Sequence, residues 1–252
     1  MKKILIRILI VLVLLAVVAV VCVGLFLDRG IKKGIETFGP QLTKVDIKLD
    51  SVSLSILSGS GKIKGLVVGN PEGFKQPQAI KLGSASLAIV PGSVFKDKII
   101  IKSIRVEAPD ITYETGLLGG DNLHKILDNV NASVASLTSG GTNASATQNT
   151  KPAKKLQVDD FLITGAKVHV SVKGTGIAAP VVIPEIHLTN LGQGPDGITP
   201  AELTKKVVSE LTESVVKNSA SVVKDAGKAV VEGATKEATK TVKGIGDLFK
   251  KK

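Results

Sequence analysis

Residues 8–27 read ILIVLVLLAVVAVVCVGLFL, an apolar run with no charge, no proline and one glycine. As a helix rising ~1.5 Å per residue the run reaches ~30 Å, the thickness of a bilayer's hydrocarbon core. A helix also satisfies its own backbone hydrogen bonds, which lipid demands. The run therefore predicts a transmembrane anchor marked by Ile8, Leu12, Leu15, Val20 and Leu27. A cleaved secretory signal is the competing reading. The run is longer than a usual signal core, and no small-x-small cleavage pair follows Leu27. Val21 before Cys22 also makes a poor lipoprotein acceptor. The expected order is thus a short basic tail at 1–7, a retained signal anchor at 8–27, and a membrane-exit helix or linker at 28–44. Within that linker, Gly30 to Gly39 reads as a short helix ended by Gly39-Pro40.

Behind the anchor the pattern changes to a period of two. Val45, Ile47 and Leu49 alternate with Asp46, Lys48 and Asp50, and Val52, Leu54 and Ile56 alternate with serines. The phase shifts at Asp50-Ser51, which predicts a bulge or sharp bend. Pairs such as Ile63/Leu66/Val68, Ile80/Leu82, Leu87/Ile89, Ile99/Ile101, Ile104/Val106 and Ile111/Tyr113 follow. After a break come Phe161/Ile163, Val168/Val170/Val172, Val181/Ile183 and Ile186/Leu188. Gly, Pro, Asn and Asp punctuate these runs as hairpin connections require. About ten short strands result, apolar on one face and polar on the other, the mark of antiparallel sheets. With 3% aromatic residues and no tryptophan, any core is Val, Ile and Leu, which suits strands.

The net charge of +11 sits at the two ends of the chain. Residues 1–33 hold six Lys/Arg against one acid, and residues 199–252 hold eleven against seven; the middle is nearly neutral, with sixteen against fourteen. A nucleic-acid binder concentrates charge on its folded module and supplies aromatic stacking surfaces, and neither is present. Basic ends beside apolar segments suit anionic headgroups. Lysines and arginines flank the anchor on both sides, so charge alone does not orient it. The only cysteine lies inside the run, so disulfides contribute nothing.

Residues 122–130 read as a short helix capped by Asp121 or Asn122, with Leu123, Ile126, Leu127 and Val130 on one side. Residues 131–155, rich in Ser, Thr, Asn, Ala and Gly, read as a flexible insertion inside one module spanning 45–198. From Thr199 to 252 the period becomes helical. Thr199 is the N-cap, Pro200 takes the first position, and Glu202 completes a capping box, with Ile198 and Leu203 able to staple across it. Leu203, Val207, Leu211 and Val215 mark the apolar stripe, and Gly227 and Gly233 weaken the later half. Such a helix could lie on lipid, cover the sheet or zip onto a partner.

Motifs for catalysis do not emerge. His124, His169 and His187 lack the one-turn spacing of a helical metal site, and read as surface histidines. Asp159-Asp160 and Glu107/Asp110/Glu114 read as solvated charge at strand ends or polar faces. Ser58-Gly59-Ser60-Gly61-Lys62 fails the phosphate-loop pattern because Ile56 and Ile63 stand at required positions; a hairpin turn explains it. No Gly-x-Ser-x-Gly elbow occurs. The expectation is a non-enzyme with no cofactor and no metal.

One stretch carries a resemblance. Val45-Asp46-Ile47, then Val52 to Gly59, then Gly65-Leu66-Val67-Val68-Gly69-Asn70-Pro71-Glu72-Gly73-Phe74 is similar to the start of AsmA-like proteins. Gly65, Leu66, Val68, Asn70, Pro71, Gly73 and Phe74 are its most specific part. Residues 99–111 and 156–166 and the short helix near 122–127 are similar to that family's later elements. By itself the motif is a strand end: Pro71 cannot donate to a ladder and holds Asn70 extended, while Gly73 permits a turn. The resemblance implies an inner-membrane anchor, a periplasmic, taco-shaped sheet, and an apolar lining that holds or passes phospholipid acyl chains. Ten strands at ~4.8 Å extend ~50 Å, too short for the envelope-spanning role of longer members.

The fold class expected is therefore α+β: an N-terminal transmembrane helix, a curved, mostly antiparallel sheet of about ten strands, and a long C-terminal amphipathic helix. The expected function is lipid contact through the apolar sheet face, with Ile47, Leu54, Ile63, Leu87, Ile101 and Val170 in the lining, in support of phospholipid traffic or envelope homeostasis. The expected location is the bacterial inner membrane, single-pass, with the bulk of the chain in the periplasm. Membrane phospholipid is the expected partner, with envelope proteins as candidates for the C-terminal helix and no nucleic acid. The alternative is a scaffold protein with a closed sheet whose C-terminal helix binds a partner and carries no lipid.

Overall fold

The computed structural model describes residues 27–55, 57–117, 119–138, 154–175 and 177–249. Ile8, Leu12, Leu15 and Val20 lie outside them, and no described helix is long and apolar enough to cross a membrane. Helix α1 spans 27–43. Strands β1 (Ile47–Lys48), β2 (Ser51–Ser55), β3 (Ser60–Gly69), β4 (Gln78–Ile89), β5 (Lys98–Glu107) and β6 (Asp110–Thr115) follow. Then come helix α2 (Asn122–Thr138), strands β7 (Lys155–Thr164), β8 (Lys167–Val172), β9 (Ile177–Val182) and β10 (Ile186–Leu191), and helix α3 (Pro200–Phe249).

These ten strands are pieces of six longer ribbons. Strands β5 and β6 both pair with the same edge of β4, one beyond the other, and the register runs on between them. In the same way β7 and β8 continue one register alongside β5 and β6, and β10 and β9 continue one alongside β7 and β8. The sheet is curled and mixed: β5 with β7 and β6 with β8 are parallel, and the other pairings are antiparallel. Joined end to end, the strands give a width of five spacings, ~24 Å, half of what ten separate strands would cover.

Each ribbon breaks at the same level. The register sets Asp50 opposite Gly65, Gly65 opposite Gly83, Gly83 opposite Ala108, Ala108 beside Gly165, and Gly165 opposite Pro184. Gly65 (φ 65°), Ala108 (φ 45°) and Gly165 (φ 63°) are left-handed. A left-handed residue in a strand bends it and shifts its side-chain phase. The phase shift legible at Asp50-Ser51 thus recurs in every ribbon and forms a crease across the whole sheet. Because the breaks align, the apolar face stays continuous across the crease. The row next beyond it is Leu49, Leu66, Leu82, Pro109, Ala166 and Ile183; two positions before it stand Val52, Ile63, Ala85, Val106, Ile163 and Ile186.

Helix α1 is longer than expected. It passes Gly39-Pro40 and ends at Lys44, which is left-handed at φ 57° and whose N–H reaches the Pro40 carbonyl. The missing Pro40 N–H is tolerated because the helix is clamped to the sheet's first edge. Asp28 accepts from the Leu54 N–H (2.8 Å), Glu36 accepts from the Leu49 N–H (3.0 Å), and Lys32 donates to the Leu49 and Asp50 carbonyls. Side chains thereby occupy edge groups that would otherwise invite another strand. Helix α2 also exceeds expectation, because residues 131–138 of the supposed flexible insertion are helical. Asn129 and Ser133 donate to carbonyls at the end of α1, and Val134 is buried, which holds this polar sequence in a helix. At its other end Lys155 already belongs to β7, and residues 139–153 lie outside the described residues.

Helix α3 begins as its sequence dictates. The Glu202 N–H donates to Thr199 Oγ1 (3.1 Å) and the Thr199 N–H donates to Glu202 (2.8 Å), a reciprocal capping box. The Thr199 N–H and, beside it, the Thr199 hydroxyl (2.8 Å) donate to the Glu202 carboxylate and hold it below the usual carboxylate range. Its contribution is therefore full above that ordinary range and is lost as pH falls through the lowered folded value. We expect Thr199→Ala to cost about 1 kcal/mol by chemical denaturation at neutral pH, with the difference from wild type shrinking in acid.

Candidate functional site

The crease divides the sheet into two halves with different cover. The distal half, β1, β6, β8, β9 and the adjoining parts of β3 and β4, is closed. Leu49, Leu82, Ile111, Tyr113, Ala166, Val168, Val170 and Ile183 are buried there. Helix α2 supplies Leu123, Ile126, Val130 and Val134 to this core, and α3 supplies Leu211, Val215 and Ala226. Burial also pushes the Tyr113 hydroxyl pKa up. Each fully buried aliphatic side chain stabilises by about 1.5–3 kcal/mol, so the two helices are part of the fold and not an appendage.

The proximal half is β2, β5, β7, β10 and the remaining parts of β3 and β4. It is closed on its β7–β10 side, where Val158, Phe161, Ile163, Ile186 and Leu191 are buried, and at Ala85 and Ile89 of β4. Toward the first edge, Val52, Leu54, Ile63, Leu87, Ile101 and Ile104 remain half-buried. Leu54, Gly61, Leu87, Ile104, Phe161 and Leu188 form one transverse row. Leu54 and Leu87 close over Gly61, where an added Cβ would lie 2.8 Å from Leu87 and 2.9 Å from Leu54. The result is a half-buried strip of aliphatic side chains that pack on one another across Gly61. It has no charged group on its own face and offers contact only to something equally apolar.

The expected lining residues separate accordingly. Leu54, Ile63, Leu87 and Ile101 lie on the open strip. Ile47 lies beyond the crease with its side chain close to Gly39 of α1. Val170 is 0% exposed in the closed core and faces no trough. Leu27, the first described residue, is half-buried at the start of α1. Ile104, in phase with Leu87, was missed as a lining residue because a bulge at Ala88/Ile89 moves the register between Ile101 and Ile104.

The Asn70-Pro71-Glu72-Gly73-Phe74 turn serves a different purpose. Asn70 Oδ1 accepts from Asn122 Nδ2 (2.8 Å), and Asn70 Nδ2 donates to the Gln76 carbonyl (2.8 Å). Asn122, the first residue of α2, also accepts from the Glu114 N–H (3.0 Å) and donates to the Thr112 carbonyl (2.7 Å). The Glu114 carboxylate accepts from the Lys75 N–H (2.9 Å) and the Gln76 N–H (3.1 Å), with Lys173 Nζ at 3.8 Å. Lys173 also sits 4.1 Å over the Phe74 ring and donates to the Gly73 carbonyl. Gly65 and Leu66 to Val68 of the same motif lie at and beyond the crease. Glu114 is thus no surface charge; it is 1% exposed and ties the β3–β4 turn to β6 and α2.

The histidines stay apart, each beside one aspartate: His124 with Asp121 (2.6 Å), His169 with Asp110 (3.0 Å) and His187 with Asp160 (2.5 Å). Arg105 joins Asp160 on the polar sheet face, and its hydrogen bond with that of His187 holds the Asp160 carboxyl below its ordinary value.

None of the curated proteins matches this chain significantly. A family model described as the AsmA family matches residues 1–206, which takes in the apolar run, the whole sheet and α2, and stops in the second turn of α3. With the match covering the leading segment and the sheet that carries the strip, the chain belongs to the AsmA family.

Proposed function

We propose that this protein is held at the inner membrane by residues 8–27, lies in the periplasm, and takes phospholipid acyl chains onto the strip formed by Val52, Leu54, Ile63, Leu87, Ile101 and Ile104. Membership of the AsmA family associates the chain with the bacterial envelope and points to an envelope- or lipid-related role. The observation that carries the reading is the half-covered face. Two helices close the distal half of a continuous apolar surface, and the proximal half near the first edge is left for something else. Acyl chains laid there are withdrawn from water at ~25 cal/mol per Å², while headgroups stay solvated. No covalent chemistry is involved. At ~24 Å wide, the sheet would serve lipid at one membrane and would not bridge two.

Native mass spectrometry of the detergent-extracted full chain tests this. We expect phospholipid adducts on the wild type, and about tenfold or greater loss of them in Leu87→Asp, where a carboxylate sits among the acyl contacts. Leu87 is half-buried on the strip and outside the buried core, so the variant keeps its circular dichroism. A wild type that carries no lipid would sink the proposal and favour a scaffold role. For that second reading, the supporting observation is that Val230 and Val231 on α3 are exposed, past Ala226, the last buried side chain among the described residues.

A further inference from the structure

We propose that the proximal end of the sheet is a foot that rests on an anionic bilayer leaflet, so that the apolar strip opens at the membrane surface. The inference rests on the anchored reading above, and it adds a specific contact surface. Leu57 and Phe95 are the most exposed large apolar side chains among the described residues, at 80% and 82%. Both lie at this end, on neighbouring connections. Leu57 is in the β2–β3 turn, and Phe95 ends a short 3-10 helix, Pro91–Phe95, between β4 and β5. The two connections are locked together: the Ile89 N–H donates to the Gly59 carbonyl (2.6 Å), and a Cβ at Gly59 would meet Pro91 at 3.1 Å. Phe95 is not held out by slack chain. Buried Ser93 accepts from the Ile100 N–H (2.9 Å) and donates to the Val90 carbonyl (2.6 Å), which makes the turn rigid.

Charge around these tips has one sign in excess. Lys96 and Lys154 are exposed, Lys98 and Lys155 sit side by side in the β5–β7 pairing, and Lys154 Nζ donates to the Val94 carbonyl next to Phe95. Arg29 is exposed at the first turn of α1. Of the acids here, Asp28 accepts from the Leu54 N–H and Glu202 from Thr199, while Asp97 and Asp196 are exposed. The distal end differs: Glu72, Asp121 and Asp128 share a cleft there with Lys125. Helix α1 begins at the proximal end, so the apolar run joins the described chain beside Leu54. Two apolar tips ringed by lysines, at the end where the apolar run joins, match an anionic leaflet: tips enter the acyl boundary and ammonium groups meet headgroups. The open row Leu54–Gly61–Leu87 begins three residues from Leu57, so a lipid leaving the leaflet meets the strip at once.

The test uses the full chain carrying Cys22→Ser and one new cysteine, at Leu57, Phe95 or Glu72, labelled with an environment-sensitive fluorophore. The protein is reconstituted in vesicles of phosphatidylethanolamine and phosphatidylglycerol that contain shallow spin-labelled lipid. Labels at 57 and 95 are expected to shift to the blue and to be quenched several-fold more than the label at 72. Adding Lys96→Glu with Lys154→Glu is expected to reduce that quenching. Protein that floats with the vesicles but shows equal quenching at all three positions overturns the foot and leaves acyl binding intact. Protein that fails to float overturns the anchor and the foot together.

Discussion

Glu114→Ala is expected to lower the unfolding free energy by about 3–5 kcal/mol, the range for breaking a buried charged network by removing one partner. The carboxylate receives the N–H groups of Lys75 and Gln76 and lies near Lys173, all at a site 1% exposed. Alanine leaves those two backbone donors without their acceptor and Lys173 without its counter-charge. For a chain of this size the loss corresponds to a melting temperature lower by about 10 °C, read by circular dichroism on the full chain in detergent. Asn122→Ala should lose a comparable amount, since Asn122 accepts from the Glu114 N–H and donates to Asn70 and Thr112. Because the two residues share one network, the double variant should cost clearly less than both single losses added together. Strict additivity would mean that the network is not a unit.

Gly65→Ala is expected to cost at least about 3 kcal/mol, and Gly83→Ala, directly opposite, no more than about 0.5 kcal/mol. Both glycines sit on the crease, but their surroundings differ. Gly65 has φ 65°, and a Cβ there would overlap the Asp50 carboxylate. At Gly83 the φ is not left-handed, and a Cβ meets nothing within 4 Å. Adding Asp50→Ala to Gly65→Ala should recover the part due to the collision and leave the part due to backbone handedness. Denaturant midpoints of these three variants and the wild type separate the two. Equal costs at the two glycines would mean that the crease is an ordinary bend with no dependence on handedness.

The phase change at Asp50-Ser51 was legible because two clean alternating runs meet there. The same change at Gly65, Ala108 and Gly165 was not read as one event, because each sits between short apolar pairs that look like separate strands. That is why ten strands were expected side by side, whereas pairs of them are halves of one ribbon. Glu114 was read as a surface charge because it lies in a polar stretch; its burial depends on Lys75 and Gln76, 39 and 38 residues earlier. Val170 looked like open lining because alternation identifies an apolar face without saying what covers it. The N-cap of α3 was legible in full, since Thr199, Pro200 and Glu202 interact within one turn.

Local pattern, acting over a few residues, determined the apolar leading run, the two-sided strands, the capping box and the family to which the chain belongs. Period and capping depend on near neighbours, so they can be read along the chain. Tertiary structure alone decided which ribbons lie parallel, that their breaks align into one crease, and that α2 and α3 close one half of the face and leave Leu54, Ile63, Leu87 and Ile101 half-covered. Those outcomes depend on pairings across tens of residues, where burial of the same Val, Ile and Leu is equally favourable in many arrangements and only the fit of the whole sheet selects one.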